Sequence, residues 1–161
     1  MVETATVEVK EELKVDVLTD ISDYLSFPWP YEDNSIKDMT VGGVFEYVQG
    51  RLRGRFMDEV YRVLVPNGTV AFAVPYWNTA KGCQDYRYEY PPLCEQSFLY
   101  FNKGWREVNK LELGIVCDFD YTYGFQAEAE TAARNEESRS FYIKHYTNCV
   151  DALHLMLTKR A

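Results

Sequence analysis

Tyrosine and tryptophan crowd one stretch of the chain around a single acid: Tyr76, Trp77, Tyr86, Tyr88 and Tyr90, with Asp85 among them. Rings with polar tips suit the wall of a pocket for a small substrate, and they equally suit an oligomer contact. Residue types alone leave both readings open. Asp85 is the acid best placed here for general-base work, set against the ordinary fate of a loop carboxylate, which is solvation. The other reactive groups find no partners. His145 sits beside Lys144, and His154 alternates with Leu153 and Leu155; neither has a Cys or Ser at a nucleophile-dyad spacing. Cys83, Cys94, Cys117 and Cys149 form no CxxC pair, so no metal site is expected and the cysteines read as free thiols.

Charge narrows the partners. The 161 residues carry a net −8, a field that repels phosphate backbones and anionic membranes, so neither nucleic acid nor membrane is an expected partner. Residues 1–14 alternate acidic and small side chains with no apolar core run, and no stretch has the length of a membrane span. The expected location is the cytoplasm. Two segments follow from this: a loose N-terminus over residues 1–14 and one α/β domain over residues 15–161.

Several elements must position the aromatic stretch. Residues 15–20 read as a short strand ending on Asp20, and residues 36–44 as a second strand that breaks at Gly42-Gly43. Leu52, Phe56, Val60, Val63 and Leu64 fall at helical spacing over residues 52–64, with Arg53, Asp58, Glu59 and Arg62 on the other side. Pro66-Asn67-Gly68 should stop that helix. Residues 69–75 are nearly all apolar, which predicts a strand buried on both faces of a parallel sheet. A loop over residues 76–92 and a helix over residues 94–101 come next. A strand over residues 114–125 then alternates Phe119, Tyr121, Tyr123 and Phe125, a buried or interface face. Residues 127–139 read as a polar helix with Glu128, Glu130, Glu136 and Glu137 in solvent, and residues 150–157 as a closing strand. The last two strands lack a crossover of the earlier kind, which predicts an antiparallel pair at the edge of a mostly parallel sheet.

The text Phe27-Pro28-Trp29-Pro30-Tyr31-Glu32-Asp33-Asn34-Ser35, then Val44-Phe45-Glu46-Tyr47-Val48, then Phe56-Met57-Asp58-Glu59-Val60-Tyr61-Arg62-Val63-Leu64-Val65-Pro66-Asn67-Gly68 and Val74-Pro75-Tyr76 is similar to the methyltransferase family often labelled type 11. Ser97-Phe98-Leu99-Tyr100-Phe101-Asn102 and residues 151–159 match one branch of it. The resemblance implies a partial Rossmann-like, class I methyltransferase sheet and S-adenosylmethionine (SAM) as cofactor. It places Asp20 and Ile21 beside the adenine, although an acid at that position also caps a turn.

Three departures accompany the resemblance. No glycine-rich turn of the GxGxG type appears, and too few residues precede Val15 for the strand and loop that carry it, so the resemblance implies an N-terminally truncated chain. Tyr47 stands where the family commonly has histidine, and so does Tyr88, which joins Asp85 as a catalytic candidate. A phenol titrating near 10 exchanges protons at neutral pH far less readily than imidazole. The expected function is a methyltransferase-like protein unable to hold SAM alone, transferring a methyl group, where active, to a small or sugar-like acceptor. The alternative is a non-catalytic protein on a degenerate fold, a homo-oligomer or the partner of a subunit that covers the exposed sheet.

Overall fold

A computed structural model describes residues 24–161. The segment 1–14, the strand expected over residues 15–20, Asp20 and Ile21 all lie outside the described residues. Among the described residues, β1 (Ile36–Gly42), β2 (Leu64–Val74), β3 (Phe119–Ala127) and β4 (Val150–Lys159) form one sheet in the order β1-β2-β4-β3. β1 and β2 run parallel, and β4 runs antiparallel to both β2 and β3. The parallel unit and the antiparallel closing pair are both those expected from the sequence.

The helix joining the parallel strands, α1 (Gly50–Val63), buries Phe56, Met57, Val60 and Val63. Phe45 bridges helix and sheet, with its ring 5.4 Å from Phe56 and 5.3 Å from Phe72. Each such ring taken out of water stabilises the fold by roughly 2 kcal/mol. Val70, Phe72 and Val74 of β2 face this layer and are buried, whereas Ala71 and Ala73 on the other face are only half-buried. The expectation of burial on both faces therefore holds for one. Opposite Ala71 and Ala73 in β4 stand Met156 and His154, both exposed, so the second face carries small and polar side chains.

Pro66-Asn67-Gly68 does not end the helix as expected. α1 stops at Val63, and Leu64 already pairs with Ile36; the ladder resumes only at Asp38 and Thr69. The three residues bulge out of β2, with Asn67 at φ 62, a left-handed backbone that asparagine tolerates.

Three further expectations change. The segment after the aromatic loop is a 3-10 helix (Glu95–Phe101) rather than an α-helix, and it seats Phe98 and Phe101 in the core. It leads into α2 (Lys103–Val108), whose cap Asn102 accepts from the Trp105 N–H at 2.8 Å. β3 starts at Phe119, not 114, because the Val116 and Cys117 N–H groups donate to Asp58 Oδ1 instead of to a strand. The polar helix divides into α3 (Ala129–Ala132) and α4 (Glu136–His145), since the Asn135 side chain caps the latter through the Ser138 N–H.

The charged side of α1 is not a solvated face. Arg53 and Glu59 are buried, and each charge anchors a neighbouring segment. Arg53 holds the loop after β2, and Asp58 the approach to β3. Glu59 accepts from the Trp29 N–H at 2.6 Å, while Arg62 donates to the Trp29 and Tyr31 carbonyls and pairs with Asp33. A charge that satisfies buried backbone groups contributes more than its exposed counterpart would.

Candidate functional site

β1 and β2 are parallel, so their carboxyl ends open on the same edge of the sheet, where ligands of open α/β folds sit. From β1 the chain passes Gly42-Gly43 into a 3-10 turn (Phe45–Tyr47), which carries Glu46 and Tyr47. From β2 it passes into the loop of residues 75–93. One backbone bond joins turn and loop, the Glu89 N–H donating to the Glu46 carbonyl at 2.9 Å, and another closes the base of the loop, from the Trp77 N–H to the Leu93 carbonyl at 2.9 Å. Arg53 adds a side-chain clamp, donating to the carbonyls of Val48 (3.1 Å), Glu89 (3.0 Å) and Pro91 (2.6 Å). The loop lies so close to the start of α1 that a Cβ on Gly50 would come within 2.9 Å of the Tyr90 carbonyl oxygen. Glycine at that position allows the approach.

The turn and loop bring together Tyr47 and Tyr88, the two tyrosines that the resemblance sets at histidine positions. The Tyr47 and Tyr88 rings lie 5.2 Å apart, and the Tyr47 hydroxyl donates to Asp85 Oδ2 at 3.1 Å. Asp85 also accepts from Arg87, through its backbone N–H at 3.0 Å, Nε at 2.9 Å and Nη2 at 2.6 Å. The Arg87 guanidinium sits 5.2 Å from the Tyr47 ring centre. These contacts set the proton chemistry. Burial, followed by the bond to Asp85, pushes the Tyr47 phenol up to about 12. Burial raises Tyr88 as well. Hydrogen bonds from Arg87 hold Asp85 well below the usual carboxylate range. Near neutrality both phenols therefore keep their protons and Asp85 stays ionised, a weak proton acceptor. The cluster is equipped to orient a bound group by hydrogen bonding.

The five aromatic residues divide between two clefts. Tyr86, Tyr88 and Tyr90 line one of about 230 Å³ with Glu46, Arg53, Asp85 and Glu89. Tyr76 and Trp77 line another of about 530 Å³ with Glu95, Tyr123, Phe125 and side chains of α4. Tyr76 is buried, its ring 5.2 Å from Phe125 and its hydroxyl donating to Glu95 Oε2 at 3.3 Å. Tyr86 is 95% exposed and Tyr90 83%, so both stand at the rim.

Arg53 and Glu46 are members of the first cleft that the sequence reading does not name as site residues. Arg53 lies, along the sequence, on the side of α1 opposite its apolar stripe. Glu46 had a visible signal: an acid inside the apolar text Val44-Phe45-Glu46-Tyr47-Val48. It is 7% exposed, and its Oε2 has no hydrogen-bond partner. Burial pushes its carboxyl up, partly offset by its own backbone N–H and by the charge of Arg53.

Elsewhere the reactive groups stay apart. His154 bonds Gln126 at 3.1 Å, His145 lies against Phe141, and among the described residues no group of His, Cys, Asp and Glu could hold a metal ion. No described helix is long and apolar enough to cross a membrane.

No protein-family model matches the sequence, and no curated protein matches it significantly. In structure the chain is similar to a SAM-dependent methyltransferase from Archaeoglobus fulgidus, at 13% identity and a TM-score of 0.56, over 88% of this chain and 66% of that one. It is also similar to a small RNA methyltransferase, at 11% identity and a TM-score of 0.50, over 86% of this chain and 15% of that one. The chain thus spans just under two thirds of the first protein and a small part of the second. At these identities the likeness establishes architecture, and the chain carries a partial, Rossmann-like fold of the class I SAM-dependent methyltransferases.

Proposed function

We propose that the chain is a SAM-dependent methyltransferase-like protein whose described residues form the acceptor side of the site and do not hold SAM by themselves. The observation that carries this is the convergence of Tyr47, Asp85 and Tyr88 beyond the carboxyl ends of β1 and β2, in a fold shared with methyltransferases. Methyl transfer depends mainly on aligning acceptor and donor and needs few acid–base groups. A cluster whose phenols stay protonated and whose acid stays ionised suits that requirement.

The described residues do not fit the methionine end of SAM. A cradle for it needs a tight strand-to-helix turn in which glycines let the backbone approach the ligand. β1 ends at Gly42, and Gly43, at φ 68, leads to a 3-10 turn and not directly into a helix. The reading therefore assigns the adenine to Asp20 and Ile21, and the rest of the cofactor to other residues outside 24–161 or to a partner subunit. The acceptor is a small molecule, sugar-like or otherwise polar, held by the cleft beside Tyr88. The setting is the cytoplasm, where exposed Cys83 stays reduced.

The test is transfer of labelled methyl to small polyols and amines by the full chain, with SAM at about 10 mM to offset the weak grip expected of the chain alone. Transfer that falls about tenfold in Asp85→Asn is expected, because misplacing an aligned group costs that much or more. Transfer indifferent to Asp85→Asn and Tyr47→Phe would remove this site from the reaction.

A second reading is a non-catalytic oligomerising or partner-binding protein. β1 pairs on one side only among the described residues, and Tyr86 and Tyr90 project into solvent. Open edges and exposed aromatics are features that another subunit covers. Sedimentation velocity decides: a dimer or larger species supports this reading, and a monomer at every concentration rejects it.

A further inference from the structure

We propose that the cleft between the turn after β1 and the loop after β2 binds a small organic ammonium group, with the Glu46 carboxylate as its counter-ion, the ring of Tyr88 as its wall, and Tyr86 and Tyr90 at its rim. The proposal extends the acceptor reading by giving the ligand a charge, yet it requires no methyl transfer.

Glu46 is the starting point. A carboxylate out of contact with water is normally paired or fully hydrogen-bonded, but Glu46 is only 7% exposed, its Oε2 has no hydrogen-bond partner, and the residue lines the cleft. Arg53 is the cation that would neutralise it, and it is committed elsewhere. Its guanidinium donates to three backbone carbonyls and makes no ion pair with Glu46. Its charge does reach Glu46, with a smaller effect than burial has. The remaining charged groups of the lining, Asp85 and Glu89, are also acids. Glu46 and Glu89 thus face one guanidinium in a cleft of about 230 Å³, with Asp85 already paired to Arg87, on a chain whose net charge is −8. A cation entering is drawn by Glu46 and Glu89, whereas an anion finds only Arg53, which is committed to backbone carbonyls. Tyrosine faces add attraction for an ammonium group, stronger where water is excluded.

The ammonium could belong to a free amine or to a lysine side chain, and the experiment separates the two. Nitrogen-15-labelled full chain is titrated at neutral pH with n-butylammonium chloride, with n-butanol as the uncharged analogue, and with an acetylated, amidated Gly-Lys-Gly peptide. Saturable shifts of the Glu46, Tyr88 and Glu89 amides with butylammonium, and none with butanol, are expected. Glu46→Gln should weaken the affinity roughly ten- to a hundredfold, the usual weight of a bond to a buried charge. Glu95→Gln, in the neighbouring cleft, should leave it unchanged. Tighter binding of the peptide assigns the site to a lysine side chain, and tighter binding of the free amine to a small molecule; either supports the ammonium site. Absence of saturable shifts, equal response to butanol, or equal affinity in Glu46→Gln overturns it. Cation binding without label transfer would sink the methyltransferase reading and leave this proposal standing. Label transfer to polyols without cation binding would do the opposite.

Discussion

Glu46→Gln should make the protein more stable at neutral pH, the reverse of what removing a charge from a working ion pair does. The side chain is 7% exposed, Oε2 has no partner and no ion pair involves it. A buried group left unsatisfied destabilises by about 1–3 kcal/mol. Glutamine removes the charge but keeps a polar amide, so a gain of about 1 kcal/mol is the reasonable share, or about 2–4 °C in Tm for a domain of this size. The pH dependence gives the argument a sign. Burial raises the Glu46 pKa in the folded chain, so the folded state retains a proton that the unfolded chain has lost. That contribution favours the fold fully below the unfolded carboxylate value, about 4.3, and is lost as pH rises through the raised folded value. The advantage of glutamine should therefore be small near pH 4 and full at neutrality. Urea melts of both proteins across that range measure it. A variant less stable than the parent at neutral pH, or a difference independent of pH, would mean that Oε2 is satisfied and that the reasoning fails.

Arg53→Met keeps the apolar stem but strands the carbonyls of Val48, Glu89 and Pro91. A loss of about 3 kcal/mol is expected, with faster amide exchange across residues 85–91; a loss under about 1 kcal/mol would show that the clamp is dispensable. The thiols should divide sharply under iodoacetamide followed by mass spectrometry. Cys83 is exposed and alkylates, while Cys117 is buried, its thiol pushed up by burial and by nearby Asp58, and it stays unmodified until the protein unfolds. Equal labelling of the two in native buffer would contradict the packing around Cys117.

The parallel unit was legible because its signals are local. The apolar spacing of Phe56, Val60 and Val63 and the run from Val70 to Val74 report a helix and a strand whatever surrounds them. Pro66-Asn67-Gly68 misled, since a motif that ends helices also builds bulges, and only the pairing of Leu64 with Ile36 decides between them. The charges of α1 misled for a related reason. A side chain that reaches a distant carbonyl looks, along the sequence, like one that reaches water. Asp85 and Tyr88 were visible as candidates, but their meeting with Tyr47 depends on how a long loop folds back over a turn. Glu46 stood in plain view inside an apolar run, and its isolation emerges only when Arg53 is seen to bond backbone carbonyls instead.

Whether this chain grips the cofactor is settled most directly by calorimetric titration of the full 161 residues with S-adenosylhomocysteine. With no glycine-rich GxGxG turn among residues 24–161, no saturable heat is expected up to about 1 mM ligand, a ceiling of roughly −4 kcal/mol in binding free energy. A stoichiometric isotherm at micromolar ligand would contradict the account and place a complete cofactor site within the chain.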